Sequence, residues 1–291
     1  MDNFTIFHFQ KAGLWTTVQD NGRNGFQASG VPVSGVMDEV SAQIANELVG
    51  NLKDSPVLEI TLFGPTITVE GTAIIAITGA NLSATINGQN APLCQSILMK
   101  NGDQITFGKP KNGCRAYLAI AGEWQVKTWL HSASFAPQNG KILTPDSFFQ
   151  KGSQLKIKPN LNFVKRTYPK ILRPKFPNLV RIRVIKGPEF DLFPEEICHQ
   201  FFGNLHEISQ NANRMGIQLI TLLENFQPSS ALISSGIIPG TIQITNAGQP
   251  IILMKDAQTT GGYWRIGHVV SEDLDKLAQV KGGDKVWISL V

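Results

Sequence analysis

The strongest constraint on this chain is a cadence. Runs of three to six β-favouring residues recur at 57–62, 66–70, 73–78, 82–86, 97–99, 104–107 and 116–120. Turn residues close nearly every run: Phe63-Gly64-Pro65, Gly79-Ala80, Asn87-Gly88, Asn101-Gly102-Asp103 and Asn112-Gly113. Helices need ten or more residues at a 3.6 period, and these runs are too short to supply them. Short strands at this spacing predict an all-β barrel or sandwich, not βαβ units. Asn87-Gly88 is a hairpin signal, because both residues tolerate the positive φ of a tight β-turn. Residues 4–9 read as a first strand. Residues 180–186, 217–223, 231–234, 241–245, 251–254 and 285–290 continue the pattern.

One segment has helical spacing. In 39–49 the apolar positions Val40, Ile44, Ala45, Leu48 and Val49 share a face, Asp38 or Ser41 can cap the start, and Gly50-Asn51 can end it. Short helices are also expected over 193–202 and 274–279, and 123–159 reads as irregular. Charge divides the chain further. Residues 151–188 hold eleven Lys or Arg and no Asp or Glu, leaving 15 basic and 22 acidic residues elsewhere. The expected layout is a β-rich lobe over 1–160, a basic Pro-rich connector over 161–179 and a second β-rich lobe over 180–291. The basic stretch suits an acidic partner or an anionic ligand. It lacks an amphipathic helix or a nucleic-acid motif, so nucleic acid is not expected.

No apolar run approaches 18 residues, so no membrane span is expected. No secretory signal is visible, and Cys94, Cys114 and Cys198 are too scattered for a disulfide framework, which fits a cytoplasmic protein. The stretch from Gly102 to Lys109 imitates a phosphate loop. It has five residues between its glycines and Pro110 where a hydroxyl should hold magnesium, so it is rejected. The five histidines lack metal-ligand spacing. Met99-Lys100 and Met254-Lys255 lack the second Met of a biotin-attachment site, so no covalently attached biotin is expected.

Three loops combine glycine freedom with polar groups. Residues 13–38 hold five glycines with Gln19, Asp20, Arg23, Ser34 and Asp38 among them. Residues 210–217 echo this loop, matching its Gln, Arg and Gly, which suggests two related halves. Residues 256–263, Asp-Ala-Gln-Thr-Thr-Gly-Gly-Tyr, follow an apolar run as a binding loop would. Arg23 and Arg214 are candidate anion contacts, since a guanidinium fork suits carboxylate or phosphate. Asp20, Asp38 and Asp256 are candidates for acid–base or metal-positioning roles. Gln19, Ser34, Gln258, Thr259, Thr260, Gly262 and Tyr263 are candidate substrate contacts. A site shared by all three loops is expected.

Six motifs run in one order along nearly the whole chain: Thr16-Thr17-Val18-Gln19-Asp20; Gly30-Val31-Pro32-x-Ser34-Gly35-x-Met37-Asp38; Ala45-Asn46-x-Leu48-Val49-Gly50-Asn51; Leu58-Glu59-Ile60-Thr61-Leu62-x-Gly64-Pro65; Arg214-Met215-Gly216; and Asp256-x-Gln258-Thr259-Thr260-Gly261-Gly262-Tyr263. Together they resemble the allophanate hydrolase subunit 2 family, which includes the KipI antagonist and the C subunit of ATP-dependent 5-oxoprolinase and is related to the biotin-dependent carboxyltransferases. The resemblance implies a cyclophilin-like β-barrel architecture. It also implies a hydrolase subunit silent by itself, a KipI- or subunit-1-like partner, a lactam-hydrolase subunit, a small amide or lactam substrate, and ATP with magnesium in the complex. Its alternatives are carboxyl transfer to urea or a similar amide, and non-catalytic antagonism of a kinase inhibitor. Two stretches depart from the family. Ala121-Gly122-Glu123-Trp124 stands for Ala-Gly-Gly-Ile, and His131-Ser132-Ala133-Ser134-Phe135 stands for Gly-Ser-Arg-Ser-Thr, so an arginine is missing from a polar loop.

Overall fold

The structure, a computed structural model, describes residues 4–226 and 232–291. It is mainly β with a curled half-barrel sheet, as expected. The chain forms two compact units. The first is Met1–Arg23 with Ser34–Phe176, and the second is Asn24–Val33 with Pro177–Val291.

The first unit holds β1 (Thr5–Lys11), β2 (Trp15–Gln19), α1 (Glu39–Val49), β3 (Val57–Thr61), β4 (Thr66–Glu70), β5 (Ala73–Asn81), β6 (Thr85–Ile86), β7 (Gln89–Asn90), β8 (Ser96–Met99), β9 (Gln104–Thr106), β10 (Asn112–Ile120), β11 (Gly122–Trp124), α2 (Gly140–Leu143) and β12 (Gln154–Pro159). One sheet runs β11-β12-β1-β4-β9-β6-β7 and another β2-β3-β10-β5-β8. Alternation along β5 and β10 explains the layering. Ile75, Ile77, Leu118 and Ile120 join a core with Phe7, Phe9, Ile67, Ile105 and Leu155 of the first sheet. Ile74, Ala76, Tyr117 and Ala119 face the opposite way, against Ile44, Ala45 and Leu48 of α1. Both faces are covered, so these strands read as continuous apolar runs. The β6–β7 hairpin turns at Asn87 and Gly88, with φ of 50° and 78°.

The second unit holds β13 (Leu179–Lys186), α3 (Glu195–Phe201), β14 (Leu205–Glu207), β15 (Gly216–Gln218), β16 (Ser235–Gly236), β17 (Thr241–Ile244), β18 (Pro250–Leu253), β19 (Thr260–Gly261), β20 (Trp264–Val269), α4 (Ser271–Leu277) and β21 (Lys285–Leu290). Its main sheet runs β14-β21-β13-β20-β17-β18-β15, and β16 pairs with β19. Val180, Ile182 and Val184 of β13 are buried, while Arg181 and Arg183 are exposed, as the alternation predicts. Arg183 is tied to Asp273 of α4 through Nε–Oδ2 at 2.9 Å and Nη2–Oδ1 at 3.2 Å.

Several elements differ from the sequence expectation. The supposedly irregular 123–159 contains β12, whose buried Leu155 and Ile157 alternate with exposed Gln154, Lys156 and Lys158. Over 217–223 regular pairing stops at Gln218, and Leu219 adds an isolated bridge to Ile208. Of the strand expected at 231–234, Ala231 lies outside the described residues and the remainder is not paired. The helix at 39–49 has its expected limits. The two later helices shift by a few residues, to Glu195–Phe201 and Ser271–Leu277.

Candidate functional site

In the first unit the polar groups converge where β2 ends. Asp20 is the hub. Its Oδ1 accepts from the Gly22 N–H at 2.9 Å, the Ser132 hydroxyl at 2.5 Å and the Ser134 hydroxyl at 2.6 Å. Its Oδ2 accepts from the Ala133 N–H at 2.6 Å, and the Asp20 N–H donates to Ser134 Oγ at 2.9 Å. One carboxylate therefore sets the conformation of the 131–135 loop, of which residues 132–135 are buried. Arg23 reaches the same loop. It is buried, Nη2 donates to the Ser134 carbonyl, and its guanidinium lies 5.0 Å from the centre of the Trp129 ring. Gln19 is buried beside it, donating from Nε2 to Thr17 Oγ1 at 2.9 Å.

The 34–38 turn lies on the same β2 end. The Val36 N–H donates to the Asp20 carbonyl at 2.9 Å. A Cβ on Gly35 would come within 2.9 Å of that oxygen, at a φ of 87°. Only glycine satisfies both demands. Ser34 is buried at a φ of 55°, and its hydroxyl has no hydrogen-bond partner among the described residues.

Asp38 is placed differently. It caps α1, accepting from the Ser41 N–H at 2.9 Å and the Ser41 hydroxyl at 2.6 Å. The backbone beside it is clamped by two residues without an assigned role in the sequence reading. Glu59 Oε2 accepts from the Met37 N–H at 2.8 Å and the Tyr117 hydroxyl at 2.9 Å, and that hydroxyl accepts from the Asp38 N–H at 2.8 Å. Arg115 Nε stands 3.6 Å from Glu59 Oε1. Burial, followed by the negative charges of Glu59 and Asp38, pushes the Tyr117 hydroxyl well above its ordinary pKa, so it works as a neutral relay. The available signal was Glu59 itself, a lone carboxylate in the apolar run Val57-Leu58-Glu59-Ile60.

In the second unit two distant motifs meet. Arg214 and Asp256 form a bidentate pair, Nε–Oδ2 at 2.7 Å and Nη2–Oδ1 at 3.0 Å, with both side chains buried. Their backbones are joined as well, Asp256 N–H to the Arg214 carbonyl at 2.9 Å. The loop beyond Asp256 turns outward. Gln258, Thr260 and Tyr263 are exposed, while Thr259 and Gly262 are half-buried. The Thr259 carbonyl accepts from the Ile237 N–H at 2.9 Å, fixing the loop against the β16 connection. A second carboxylate–guanidinium pair, absent from the sequence reading, joins Glu189 to Arg265 through Nε–Oε2 at 2.7 Å. Hydrogen bonding from Arg265 leads the effects that hold Glu189 below the usual carboxylate range.

The two Arg-Gly loops thus have different chemistry. Arg23 serves a backbone carbonyl and an aromatic ring, and Arg214 serves a carboxylate. Each unit brings its own candidates together: Gln19, Asp20, Arg23 and Ser34 at the end of β2, with Asp38 at the start of α1, and Arg214 with Asp256 beneath an exposed Gln258-Thr259-Thr260 edge. Among the described residues no group of three or more His, Cys, Asp or Glu is placed to hold a metal ion.

The chain has known relatives. Residues 29–289 match the family described as carboxyltransferase domain, subdomain A and B. Over 277 residues the chain is 36% identical to the C subunit of 5-oxoprolinase from Escherichia coli strain K12, covering 95% of this chain and 88% of that protein. It is 32% identical over 303 residues to urea amidolyase of Saccharomyces cerevisiae, covering 97% of this chain and 16% of that protein. The crystal structure of Kluyveromyces lactis urea amidolyase superposes with a TM-score of 0.89 at 32% identity, over 97% of this chain and 18% of that one. The chain therefore spans most of the bacterial protein and under a fifth of either yeast enzyme. The likeness carried by the six motifs is borne out, and the chain belongs to the carboxyltransferase-domain family, subdomains A and B, that includes the C subunit of 5-oxoprolinase.

Proposed function

We propose that this chain is one subunit of an ATP-dependent hydrolase acting on an amide or lactam, of the 5-oxoprolinase type. The reaction opens 5-oxoproline to glutamate at the expense of ATP. The observation that carries the reading is the 36% identity to a 5-oxoprolinase C subunit along 88% of its length. The chain works with a KipI- or subunit-1-like protein and a lactam-hydrolase subunit, and is silent alone.

The chemistry divides by burial. A lactam presents one planar N–H and one carbonyl beside a carboxylate, and recognising it takes donors and acceptors within reach of solvent. Gln258, Thr259, Thr260 and Tyr263 offer these, with Gly262 allowing a close approach. The Arg214–Asp256 pair fixes the start of their loop, and an anion drawn to the site shares Arg214 with Asp256. Asp20, Arg23 and Gln19 hold the 131–135 loop and its neighbourhood. Asp38, through α1, and Ser34 hold the adjoining turn. Phosphorylation of the lactam oxygen by ATP would activate the ring carbon toward water; the ring then opens by loss of the amine, and hydrolysis of the resulting acyl phosphate releases phosphate and glutamate. The described residues offer no carboxylate cluster fit for the magnesium of ATP, so no step of the reading runs through a metal held here.

A second reading is carboxyl transfer to urea or a similar amide, favoured by the family description and by the urea amidolyase relatives. The altered 131–135 loop favours a third, a non-catalytic KipI antagonist. The deciding experiment measures 5-oxoproline-dependent ATP hydrolysis by the complex assembled with and without this chain. Loss of turnover on omission supports the hydrolase. A stable complex that instead consumes carboxybiotin and urea establishes the second reading, and a stable complex inert on every amide establishes the third.

A further inference from the structure

Residues 161–176 contain Lys165, Arg166, Lys170, Arg173 and Lys175 and no acidic residue. A solvated linker of this kind would have a loose backbone. Here the backbone is pinned. The Ser96 N–H donates to the Arg166 carbonyl at 2.9 Å and the Tyr168 N–H to the Cys94 carbonyl at 2.9 Å, making an antiparallel bridge between Gln95 and Thr167 beside β8. Ser96 Oγ accepts from the Arg166 N–H at 2.8 Å and donates to the Val164 carbonyl at 3.0 Å. Tyr168 packs on the cluster beneath α1, and Arg166 Nη1 donates to the Leu48 carbonyl at 3.4 Å.

The strap's outward side is unlike an ordinary surface. Leu161, Phe163, Val164, Ile171 and Leu172 are exposed, Ile171 at 88% and Leu172 at 61%. Five large apolar side chains within twelve residues go beyond the scattered single exposures of a soluble surface. Lys165, Lys170 and Lys175 stand among them, exposed. Among the described residues none of the five cations is paired with a carboxylate. The bridge geometry turns the Thr167 peptide groups away from β8, and they make no hydrogen bond among the described residues. The strap therefore offers apolar contacts, unneutralised positive charge and a free backbone edge.

We infer that residues 161–176 are a docking edge for a different polypeptide whose matching face is acidic around an apolar centre, namely the subunit-1-type partner. This rests on the reading that the chain works as one subunit of a complex. The free peptide groups favour protein over a lipid surface, because hydrocarbon cannot satisfy them. Outside 161–176 the chain holds 21 basic and 22 acidic residues, so a second copy offers little net charge to match the strap. That contact would join two different faces and would close only where its rotation completes a ring, so self-association is an outcome that overturns the assignment.

The test is titration calorimetry of the full chain against the subunit-1-type protein of the same organism at low and high salt, with masses from light scattering. The triple variant Lys165→Glu, Lys170→Glu, Lys175→Glu should bind about 100-fold more weakly at low salt and lose most of the salt dependence. The variant Ile171→Ser with Leu172→Ser should bind about 30-fold more weakly with the salt dependence retained. Both should melt with the wild type, since these side chains are exposed. Wild-type affinity in both folded variants overturns the docking edge and leaves the partner reading standing. No binding by the wild-type chain overturns both. Self-association, or binding to RNA or anionic vesicles, that only the wild type shows in place of the subunit-1-type protein also overturns the assignment.

Discussion

Replacing Arg214 by alanine removes one half of a bidentate pair whose side chains are only 7% and 4% exposed. The cost is mostly that of stranding the Asp256 carboxylate away from water. Breaking a buried ion pair from one side costs about 3–5 kcal/mol, whereas replacing both partners by apolar groups of similar volume is often near neutral. Arg214→Ala and Asp256→Ala should therefore each lower the melting temperature of the second unit by roughly 10 °C or more. Arg214→Met with Asp256→Leu should recover most of that loss. The assay is thermal unfolding followed by fluorescence, with Trp264 and Trp287 reporting on the second unit, run as a double-mutant cycle on Arg214→Met, Asp256→Leu and the two together. A coupling of about 2 kcal/mol or more is expected from a pair of this burial. An Arg214→Ala protein within about 1 kcal/mol of wild type, or a double variant whose loss equals the sum of the singles, would refute the reasoning. Loss of complex turnover at unchanged stability would mean that Arg214 is held for an anion and not for Asp256.

Three further outcomes follow from the geometry. Gly35→Ala forces a Cβ to within 2.9 Å of the Asp20 carbonyl at a φ of 87°, and should cost about 2 kcal/mol or more, read as a lower denaturation midpoint. Tyr117→Phe removes the buried hydroxyl that accepts from the Asp38 N–H and donates to Glu59 Oε2, and should cost about 1–3 kcal/mol in urea unfolding. Burial holds His206 and His268 below the usual imidazole pKa. The neutral form is favoured in the folded state, so this stability is present above about pH 6.5 and lost as pH falls through the lower folded values. Melting temperature should fall between pH 7 and 5.5, and His206→Gln should flatten that slope; an unchanged slope would assign the pH dependence to other groups.

Legibility in the sequence followed how local the deciding physics was. The α1 helix was readable to its last residue because its stripe, its Asp38 cap and its left-handed Gly50 stop all lie within thirteen positions. The Asn87-Gly88 hairpin was readable for the same reason. By contrast, β12 was hidden because its outward Lys156 and Lys158 merged into a longer basic stretch, and its role as a partner of β1 depends on a residue pairing some 150 positions away. The strand β20 contains Arg265, Gly267 and His268, and its polar alternation disguises a strand stabilised by neighbours on both sides. The fates of Asp20 and Arg214 were equally non-local. Glycine-rich surroundings mark both as important, but nothing in either loop says that Ser132 and Ser134 will claim one and Asp256 the other.

That non-locality changes what the candidate residues are suited to do. Acid–base work needs a group that can exchange a proton with substrate. Asp20 is engaged by four donors, Asp38 by a helix start, and Asp256 by a guanidinium fork. A carboxylate held this way is better suited to fixing a loop than to meeting a substrate, because its oxygens are already committed to those donors. The groups with freedom are those that the same anchors carry outward. Gln258, Thr259, Thr260 and Tyr263 lie beyond the Arg214–Asp256 pair, whereas residues 132–135, which Asp20 holds, are buried. Ala133 itself is 1% exposed and packs in the apolar core of the first unit, its N–H held by Asp20. Ala133→Arg would bury a guanidinium among these apolar side chains, so it should lower the melting temperature rather than change what the loop presents, and a wild-type melting temperature would refute this.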